Sequence, residues 1–385
     1  MKQLTLIKKG KLKWLEKEEP TIGNPHQAIV RPFVAGRCDG DSLFLFHNYT
    51  RAIQLGVAVH FLDAKVLDAF GKNPFKAPIP VGHEGIAEVV ETGDEVHNFK
   101  KGDRVILPWA ISCGTCPTCQ QKLFSNCRNN DKNTLVAAYG FGEGTGGWGG
   151  MVSDLVLVPF AETMLMKLPD GVDPVHAVSL SDNISDAYRT VGPYLEAGQQ
   201  SPVLIMGGAA QSIGLYAVGM AKALGSAQVD YVDDDPQRLG IAASFGANAI
   251  EVKNRSTLFK TNQPLLKGGY PVTVDASNSV PRLTFSLKAL AQGGVCTSVG
   301  FYFNRRTPLP LWDMYLKNAT FKIGTSHPTR DIPNVLRLMT ETSFNPGNVT
   351  TLLANWETAE ESYLEKTPKL ILRREPLGPH PEALN

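Results

Sequence analysis

Residues 203–217 decide the fold, and they read VLIMGGAAQSIGLYA. Four apolar residues come first, a pair of glycines follows, and the stretch then continues with residues typical of a buried helix. This order predicts a strand, a tight turn and a helix that begins near Ser212. Because the first turn of a helix has unpaired N–H groups, such a turn is typical of a phosphate-binding site.

The turn departs from the common dinucleotide-binding fingerprint, G-x-G-x-x-G. Counting back from Gly214, the expected glycines fall at Gln211 and Ala209. Two glycines still open the turn, and Gly214 still permits the helix to pack closely on its strand. We therefore predict a coenzyme-binding turn that includes Gly207, Gly208, Ser212, Ile213 and Gly214.

Asp233 ends the next predicted strand, about 20 residues after Gly214, as the fingerprint requires. An acidic residue at this place binds the ribose hydroxyls and repels a 2′-phosphate, which favours NAD over NADP. Arg238, in the following predicted helix, is included in the coenzyme site. The alternative is that the aspartates of VDDDPQ only start a turn and cap that helix.

The sequence on either side of this turn predicts two domains. Between residues 184 and 325, strands such as QVDYVD and YPVTVDAS alternate with helical stretches such as DPQRLGIAASFG and PRLTFSLKALAQGG, which predicts a doubly wound parallel sheet. Residues 1–183 carry short β-type runs such as QAIVRPFV, GIAEVVETG, DRVILPW and DLVLVPF. They predict a β-rich domain, which PKLILRRE and the rest of residues 326–385 are expected to rejoin.

The composition is that of a globular protein. The chain has 385 residues, 43% hydrophobic and 19% charged, with a net charge of +1. No overall field attracts nucleic acid or acidic membranes, so neither is an expected partner. The N-terminus lacks the apolar block of a secretory signal, and we identify no membrane span. We expect a cytoplasmic protein.

Four of the six cysteines form a cluster spaced as C-x2-C-x2-C-x7-C. In a reducing compartment such a cluster favours a metal over disulfides, and four thiolates suit a closed, structural zinc site. Iron–sulfur proteins use a similar spacing, but the x7 gap and the lack of a following proline argue against that reading. Unliganded thiols are the remaining alternative. The cluster consists of Cys113, Cys116, Cys119 and Cys127.

The order of these motifs resembles that of the zinc-dependent medium-chain alcohol dehydrogenases. The resemblance rests on RCDGDS (37–42), GHEGIAEVVETG (82–93), the cysteine cluster and SLSDNISDAYRTVG (179–192), and it covers nearly the whole chain. It implies an α/β protein with a GroES-like catalytic domain and a Rossmann domain. It also implies two zinc ions per chain, one catalytic and one structural, and a homodimer or homotetramer.

The resemblance assigns the catalytic zinc to Cys38, His83 and Asp182, where Asp182 takes the place of a cysteine that many members have. It makes Glu84 the carboxylate that approaches the metal or orders its surroundings. Asp41 becomes the carboxylate that orients the ligand histidine. Two alternatives stay open: an ordinary histidine at a strand edge, and an aspartate that only caps a helix.

Two more residues take predicted roles from the resemblance. Trp109 stands where the family lines its substrate pocket, so a tryptophan is expected to narrow that pocket; the alternative is simple packing in the core. Lys369 in PKLIL is expected to reach the phosphates of the coenzyme.

The sequence also departs from the family's pattern at the proton relay. Gly40 stands where the family usually has serine or threonine, and Leu43 stands where it often has histidine. Neither side chain carries a proton. Ser42, His47, His60 or water are the candidate substitutes.

An insertion separates Cys38 from His83 by about twice the usual family spacing. The extra segment, residues 48–73, has apolar residues at helical spacing and predicts one or two helices near the mouth of the active site. The alternative is an excursion on the surface or at an oligomer contact.

The implied reaction is hydride transfer between NAD(H) and a small alcohol, aldehyde or ketone. One alternative is an NAD(P)H-dependent reductase of activated C=C or C=N bonds, which does not need the usual relay. The other is a zinc-stabilised NAD-binding protein with little turnover.

Overall fold

The computed structural model describes residues 1–47, 49–130, 134–197, 200–252 and 266–378. The chain forms two compact units. The first contains Met1–Asp182, His327–Ile332 and Thr350–Asn385, and the second contains Asn183–Ser326 and Pro333–Val349. Residues 333–349 therefore lie in the second unit, whereas the sequence places them in the first domain.

The first unit is rich in short strands, as the sequence predicts. Valine is the commonest strand residue in one buried core cluster of this unit, because β-branched side chains pack well on a pleated surface. The strands are β1 (Lys2–Lys8), β2 (Lys11–Glu16), β3 (Ala28–Gly36), β4 (Ile79–Pro80), β5 (Glu84–Thr92), β6 (Arg104–Leu107), β7 (Val156–Val158), β8 (Met166–Lys167), β15 (Leu352–Asn355) and β16 (Leu370–Arg373).

These strands form two sheets. The larger has the order β15-β16-β3-β5-β6-β8, with β7 also paired to β3, and the smaller has the order β2-β1-β4. β16 pairs antiparallel with β3, so PKLILRRE rejoins the first unit as predicted. Because β3 ends at Gly36 and β5 begins at Glu84, opposite each other, the residues next to these strand ends lie close together.

Short helices join the strands of the first unit. Two of them, α2 and α3, lie within the insertion and confirm its predicted helical character; Asn48 lies outside the described residues. The helices are α1 (Ser42–Leu45), α2 (Tyr49–Ala58), α3 (Lys65–Phe70), α4 (Pro117–Gln120), α5 (Ala161–Met164), α6 (Pro174–Ala177) and α13 (Ala359–Ser362).

The second unit is a parallel sheet flanked by helices. Its strands are β9 (Val203–Met206), β10 (Val229–Asp233), β11 (Asn248–Glu251), β12 (Tyr270–Asp275), β13 (Leu290–Ser298) and β14 (Thr320–Ile323). Their order is β11-β10-β9-β12-β13-β14, and each pair is parallel. This is the strand order of dinucleotide-binding sheets, so the predicted Rossmann domain is confirmed.

The helices of the second unit are α7 (Asn183–Ala197), α8 (Gln211–Ala223), α9 (Pro236–Ser244), α10 (Val280–Lys288) and α11 (Leu311–Lys317). A further helix, α12 (Pro328–Glu341), begins in the first unit and ends in the second. The helix predicted from PRLTFSLKALAQGG extends too far, because Leu290–Gly294 already belong to β13. Gly293 has a φ of +69°, a left-handed conformation that a helix does not continue through.

Membrane-spanning helices are absent from the described residues: none of the helices there is both long and apolar enough to cross a bilayer.

Candidate active site

Three predicted metal ligands converge in the first unit. Cys38 follows β3 and caps the 3-10 turn Asp39–Asp41, and its Sγ accepts a hydrogen bond from the N–H of Gly40 at 3.3 Å. His83 directly precedes β5, and Asp182 ends the 3-10 turn Val178–Ser181. The fold therefore brings three loop positions, each next to a regular element, to one place.

The donor atoms of Cys38, His83 and Asp182 all lie within 4.8 Å of one another. Asp182 Oδ2 lies 3.2 Å from Cys38 Sγ and 3.4 Å from His83 Nε2. Ligands of a tetrahedral zinc ion, bound at about 2.0–2.3 Å, are separated by about 3.3–3.7 Å. The two distances from Asp182 are close to this range, so the donor set can close around a zinc ion.

The imidazole of His83 is a buried polar group that the described residues leave unsatisfied. The ring is 1% exposed, and neither nitrogen makes a hydrogen bond there. Buried polar atoms are rarely left so, because an unmade hydrogen bond costs about 1–3 kcal/mol. A cation beside Nε2 satisfies this ring, which supports a metal ligand over an ordinary histidine at a strand edge.

The electrostatics of Cys38 and His83 also favour a cation. Burial, and then the nearby Asp182 carboxylate, raise the pKa of the Cys38 thiol well above its ordinary value. Burial opposes the charged form of His83, but the Asp41 and Asp182 carboxylates outweigh it and raise the pKa of the ring. A zinc ion reverses both effects, because it binds a thiolate and a neutral imidazole.

Asp41 lies behind the histidine, where its predicted orienting role needs it. Its Oδ1 is 3.3 Å from His83 Nδ1, and its Oδ2 accepts a hydrogen bond from the Tyr363 hydroxyl at 2.7 Å. Both side chains are fully buried. Arg37 holds the loop that carries Tyr363 by donating to the carbonyl oxygens of Tyr363, Glu365 and Thr367. Sequence reasoning missed Tyr363, since 322 residues separate it from Asp41.

Glu84 does not face solvent. Its Oε2 accepts hydrogen bonds from Lys369 Nζ at 2.6 Å and from Ser179 Oγ at 2.8 Å. Lys369 is fully buried and also donates to the carbonyl oxygen of Arg37. We therefore correct the prediction that Lys369 reaches the coenzyme phosphates: its ammonium group is committed to Glu84 inside the first unit.

The cysteine cluster is assembled as predicted, with its four sulfur atoms within 4.8 Å of one another. Cys116 Sγ and Cys127 Sγ are 3.9 Å apart, close to the spacing of about 3.8 Å that two thiolates have on one zinc ion. Burial opposes the thiolate of Cys116, but hydrogen bonds from Thr118 and from the N–H of Arg128 lower its pKa to about 5. The cluster therefore fits a closed zinc site, and no disulfide joins any of the chain's six cysteines.

The glycine turn of the second unit has the close contacts that its sequence predicts. A Cβ on Gly207 would collide with the Asp233 carboxylate, and one on Gly208 would lie 2.7 Å from the carbonyl oxygen of Ser277. A Cβ on Gly214 would lie 3.3 Å from Ala276 Cβ, so glycine lets α8 pack closely. Gly207 and Gly208 therefore need glycine, and Gly214 is tightly packed, although the fingerprint is imperfect.

Asp233 ends β10 but is buried and held by its neighbours. Arg238 donates to both of its oxygens, at 2.7 and 2.8 Å, and the Tyr231 hydroxyl donates at 2.5 Å. Burial opposes the carboxylate, but these hydrogen bonds lower the pKa of Asp233 to about 2. Arg282, which sequence reasoning missed, donates to the carbonyl oxygen of Gly207 at 2.7 Å. The ribose end of the predicted site is therefore a network of charges rather than one exposed aspartate.

Two other predicted coenzyme residues, Ser212 and Ile213, have side chains that face the protein interior. α8 begins at Gln211, and Ser212 in its first turn is fully buried, with its hydroxyl accepting a hydrogen bond from the Asn183 amide at 2.8 Å. The adjacent Ile213 is also buried. Their side chains pack inside the second unit, so only their backbone can take the predicted role.

The residues around Cys38 leave the proton relay incomplete. Gly40 has space: a Cβ there would meet only Cys38 Sγ, at 3.7 Å. Ser42 Oγ donates to the carbonyl oxygen of Asp39 at 2.8 Å. His47 and His60 are both exposed, and His47 packs against Tyr49.

Trp109 is 7% exposed, and its backbone N–H donates to the carbonyl oxygen of Ser181 at 3.1 Å, next to the candidate ligand Asp182. Its ring meets that of Phe141 edge-on, with centroids 6.2 Å apart. Phe141, which sequence reasoning missed, stacks on His83 with centroids 4.6 Å apart. The burial of Trp109 agrees with packing in the core. Its contact with Phe141, which stacks on His83, agrees with a place beside the substrate pocket.

Two family models match the chain, and together they cover most of it. The model described as "Alcohol dehydrogenase GroES-like domain" matches residues 24–170, and the one described as "Zinc-binding dehydrogenase" matches residues 212–341. The chain belongs to the zinc-dependent medium-chain alcohol dehydrogenase family. Zinc is thus part of the family's description, and the two matched regions correspond to the two units.

Relatives and a solved structure agree with this assignment. The chain is 25% identical to a probable zinc-binding alcohol dehydrogenase of Mycobacterium tuberculosis over 94% of its own length and 84% of the relative's. It is 33% identical to a glutathione-independent formaldehyde dehydrogenase of Bacillus subtilis over 60% of its length and 57% of the relative's. The solved alcohol dehydrogenase of Thermus sp. ATN1 is 25% identical, with a TM-score of 0.77 over 97% of this chain and 99% of that one.

Proposed function

We propose that this zinc-type dehydrogenase transfers hydride between NAD(H) and a small alcohol, aldehyde or ketone at a zinc ion held by Cys38, His83 and Asp182. One observation carries the proposal: a thiol, an unsatisfied imidazole nitrogen and a carboxylate oxygen converge at zinc-ligand spacing. Three protein ligands leave a fourth position for substrate, as catalytic zinc sites require. When bound there, zinc polarises the substrate oxygen.

The surrounding residues position this donor set. Asp41 places a carboxylate oxygen 3.3 Å from His83 Nδ1, where it can orient the ring of a metal-bound histidine, and the Tyr363 hydroxyl donates to Asp41. The Glu84–Lys369 pair anchors the start of β5, directly after His83. These contacts restrict the movement of the segment that carries His83, as a preorganised site requires.

The proton of an alcohol substrate has no side-chain relay at position 40. Gly40 offers no hydroxyl, and Ser42 already donates to Asp39. We propose that water carries this proton to solvent. The same gap favours a second candidate, reduction of activated C=C or C=N bonds, for which the usual relay is not needed.

NAD is the proposed coenzyme, bound by the glycine turn and the end of β10. Three carboxylates, of Asp233, Asp234 and Asp235, stand there against two guanidinium groups, of Arg238 and Arg282. The excess of negative charge disfavours a 2′-phosphate, and Asp234 is half-exposed beside the fully buried Asp233. This supports NAD over NADP on charge rather than on one exposed aspartate.

We propose a homodimer formed through the second unit. β14 is an edge strand, and Ile323 within it is 53% exposed. α11 presents Leu311, Trp312 and Tyr315, each more than 65% exposed. Monomeric proteins rarely expose such apolar groups together, and an unpaired edge strand is a place for another chain to bind.

The proposed reaction is tested with purified, zinc-loaded protein and a panel of aldehydes, ketones, enones and imines, with NADH and NADPH in parallel. We expect aldehydes or ketones to be reduced, and NADH to be used at higher kcat/KM than NADPH. Reduction of an enone or imine without any carbonyl compound would replace the proposal with the second candidate. No turnover of any compound would leave a zinc-stabilised binding protein.

A further inference from the structure

Five aromatic side chains form one cluster against the metal ligand His83. Phe141 is its hub: it stacks on His83 with centroids 4.6 Å apart and 26° between the ring planes. Trp109 and Phe44 meet Phe141 edge-on, at 6.2 and 6.3 Å. We call the cluster the aromatic wall, and it consists of Phe44, Phe70, Phe75, Trp109 and Phe141.

Glycines let the Phe141 ring reach the imidazole. Gly140 and Gly142 on either side of it have φ values of +79° and +80°, which side-chain-bearing residues rarely adopt. A Cβ on Gly140 would lie 2.8 Å from the carbonyl oxygen of Gly82 and 3.2 Å from His83 Nδ1. The backbone at 140 therefore lies directly against the turn that carries the ligand.

The insertion supplies the back of the wall. Phe70, the last residue of α3, lies 4.8 Å from Phe75 and 6.5 Å from Phe141 between ring centroids. A Cβ on Gly144 would collide with the carbonyl oxygen of Phe70, so the insertion and the loop of Phe141 touch backbone to backbone. The insertion is thus tied to the metal ligand through one intervening ring.

The wall is closely packed. Phe44, Phe75 and Trp109 are 2%, 8% and 7% exposed, and their rings touch one another or Phe141. Since interiors are packed at the density of organic crystals, such rings leave no room for an alkyl chain between them. Substrate beside His83 therefore meets a solid apolar surface on this side.

We propose that the insertion determines substrate size: through Phe70 it holds Phe141 flat on His83, and the wall so formed restricts the enzyme to short, unbranched alcohols and aldehydes. This inference rests on the proposed function for its substrate class. Phe141 is the specificity-determining residue, and Phe70 is a positioning residue that acts through it.

The test compares Phe141→Ala and Phe70→Ala with Phe61→Ala, a matched control. Phe61 belongs to the same insertion but is 66% exposed and lies outside the wall. The measurement is kcat/KM for straight-chain alcohols or aldehydes of increasing length. One methylene of the substrate, accommodated or excluded by a hydrophobic pocket, changes kcat/KM by about 10–200-fold. We expect both wall variants to raise the ratio of long to short substrates by about tenfold, and the control to leave it within about twofold.

Coupling distinguishes positioning from simple loss of volume. If Phe70 acts through Phe141, the double variant Phe70→Ala/Phe141→Ala changes the length profile no more than Phe141→Ala alone. A length profile that Phe70→Ala leaves unchanged, in a protein that still binds zinc, would overturn the role of the insertion. Phe70→Leu, which keeps an apolar side chain of similar reach, provides the variant to use if Phe70→Ala does not fold.

A second readout does not depend on turnover. With cobalt in place of zinc at the Cys38–His83–Asp182 site, the ligand-field spectrum reports the geometry of the ligands. We expect Phe141→Ala and Phe70→Ala to shift this spectrum and Phe61→Ala to leave it unchanged. If the wild type reduces no carbonyl compound, the proposed function fails, while this spectral comparison still decides whether the insertion acts on the ligand. Identical spectra and length profiles in all variants would overturn the inference.

Discussion

Glu84 Oε2 and Lys369 Nζ form a salt bridge of 2.6 Å in which both side chains are completely buried. Glu84 directly follows the candidate metal ligand His83 at the start of β5, and Lys369 directly precedes β16. A buried charge without its partner costs several kcal/mol. The contact therefore holds the start of β5 and the start of β16 together.

Lys369→Met is expected to destabilise the protein by about 3–5 kcal/mol, because it leaves Glu84 charged and without its partner ammonium. Chemical unfolding followed by circular dichroism measures the loss. Lys366→Met, at an exposed lysine three residues away, is the control and should change stability by about 0.5 kcal/mol or less. Combining Lys369→Met with Glu84→Gln should recover part of the loss. If Lys369→Met and Lys366→Met had equal stabilities, the buried ion pair with Glu84 would not be stabilising the fold.

Gly40→Ser tests the missing relay. The structure has room for the new side chain, since a Cβ at 40 meets only Cys38 Sγ at 3.7 Å. A hydroxyl there can pass a proton, and positioned proton transfer contributes about 10²–10⁴-fold in enzymes. We expect kcat for alcohol oxidation to rise by about tenfold, and Gly240→Ser, at an open position in α9, to leave it unchanged. An unchanged kcat in folded, zinc-loaded Gly40→Ser would show that the proton does not pass position 40.

Asp233 should make stability depend on pH in the acid range. Its pKa is lowered from an ordinary value of 3.8 to about 2, mainly because hydrogen bonds from Arg238 and Tyr231 outweigh the effect of burial. A lowered pKa means that the stabilisation, about 2 kcal/mol, is complete above pH 4 and is lost as the pH falls towards 2.

The check is thermal unfolding of the wild type, Asp233→Asn and Asp234→Asn between pH 7 and pH 3. The difference in melting temperature between the wild type and Asp233→Asn should be constant down to about pH 4 and should then become smaller. The half-exposed Asp234 should give a much smaller gap. A gap that widens on acidification would mean that the pKa of Asp233 is raised instead.

Trp312→Lys is expected to weaken the proposed dimer, because it places a charge in the exposed apolar face of α11, where Trp312 is 69% exposed. Sedimentation velocity should show the wild type as a dimer or a larger assembly, and the variant shifted towards monomer. Lys267→Ala, at an exposed lysine before β12 and outside α11, serves as the comparison. A monomeric wild type at micromolar concentration would refute the dimer.

The sequence was sufficient for most of the fold because its signals were local. The alternation of strands and helices predicted the parallel sheet, and β16 was expected to rejoin the first unit. The end of α10 was missed, because the apolar residues after Lys288 suit a buried strand as well as a helix. The place of residues 333–349 in the second unit was not predicted, because it depends on contacts between distant segments. The spacing of apolar residues along the sequence does not show such contacts.

The candidate site was predictable where short motifs carry it and not where distant segments meet. Cys38, His83 and Asp182 came from a family pattern, and the structure brings them together. Tyr363 and Phe141 lie in no motif that points to the site. Lys369 was misassigned, because sequence shows that a lysine is present but not which carboxylate it meets. Asp233 ends a strand as predicted, whereas its burial under Arg238 depends on contacts that the sequence does not show.

The most direct test of the central claim is the zinc content of the wild type and of Asp182→Ala, measured by mass spectrometry after exhaustive dialysis. The described part of the chain contains two ligand groups, so the wild type should hold two zinc ions per chain. Asp182→Ala should hold one, retained by the four cysteines, and should lose carbonyl reduction. One zinc ion in the wild type, or two in an active Asp182→Ala, would contradict a catalytic metal at Cys38, His83 and Asp182.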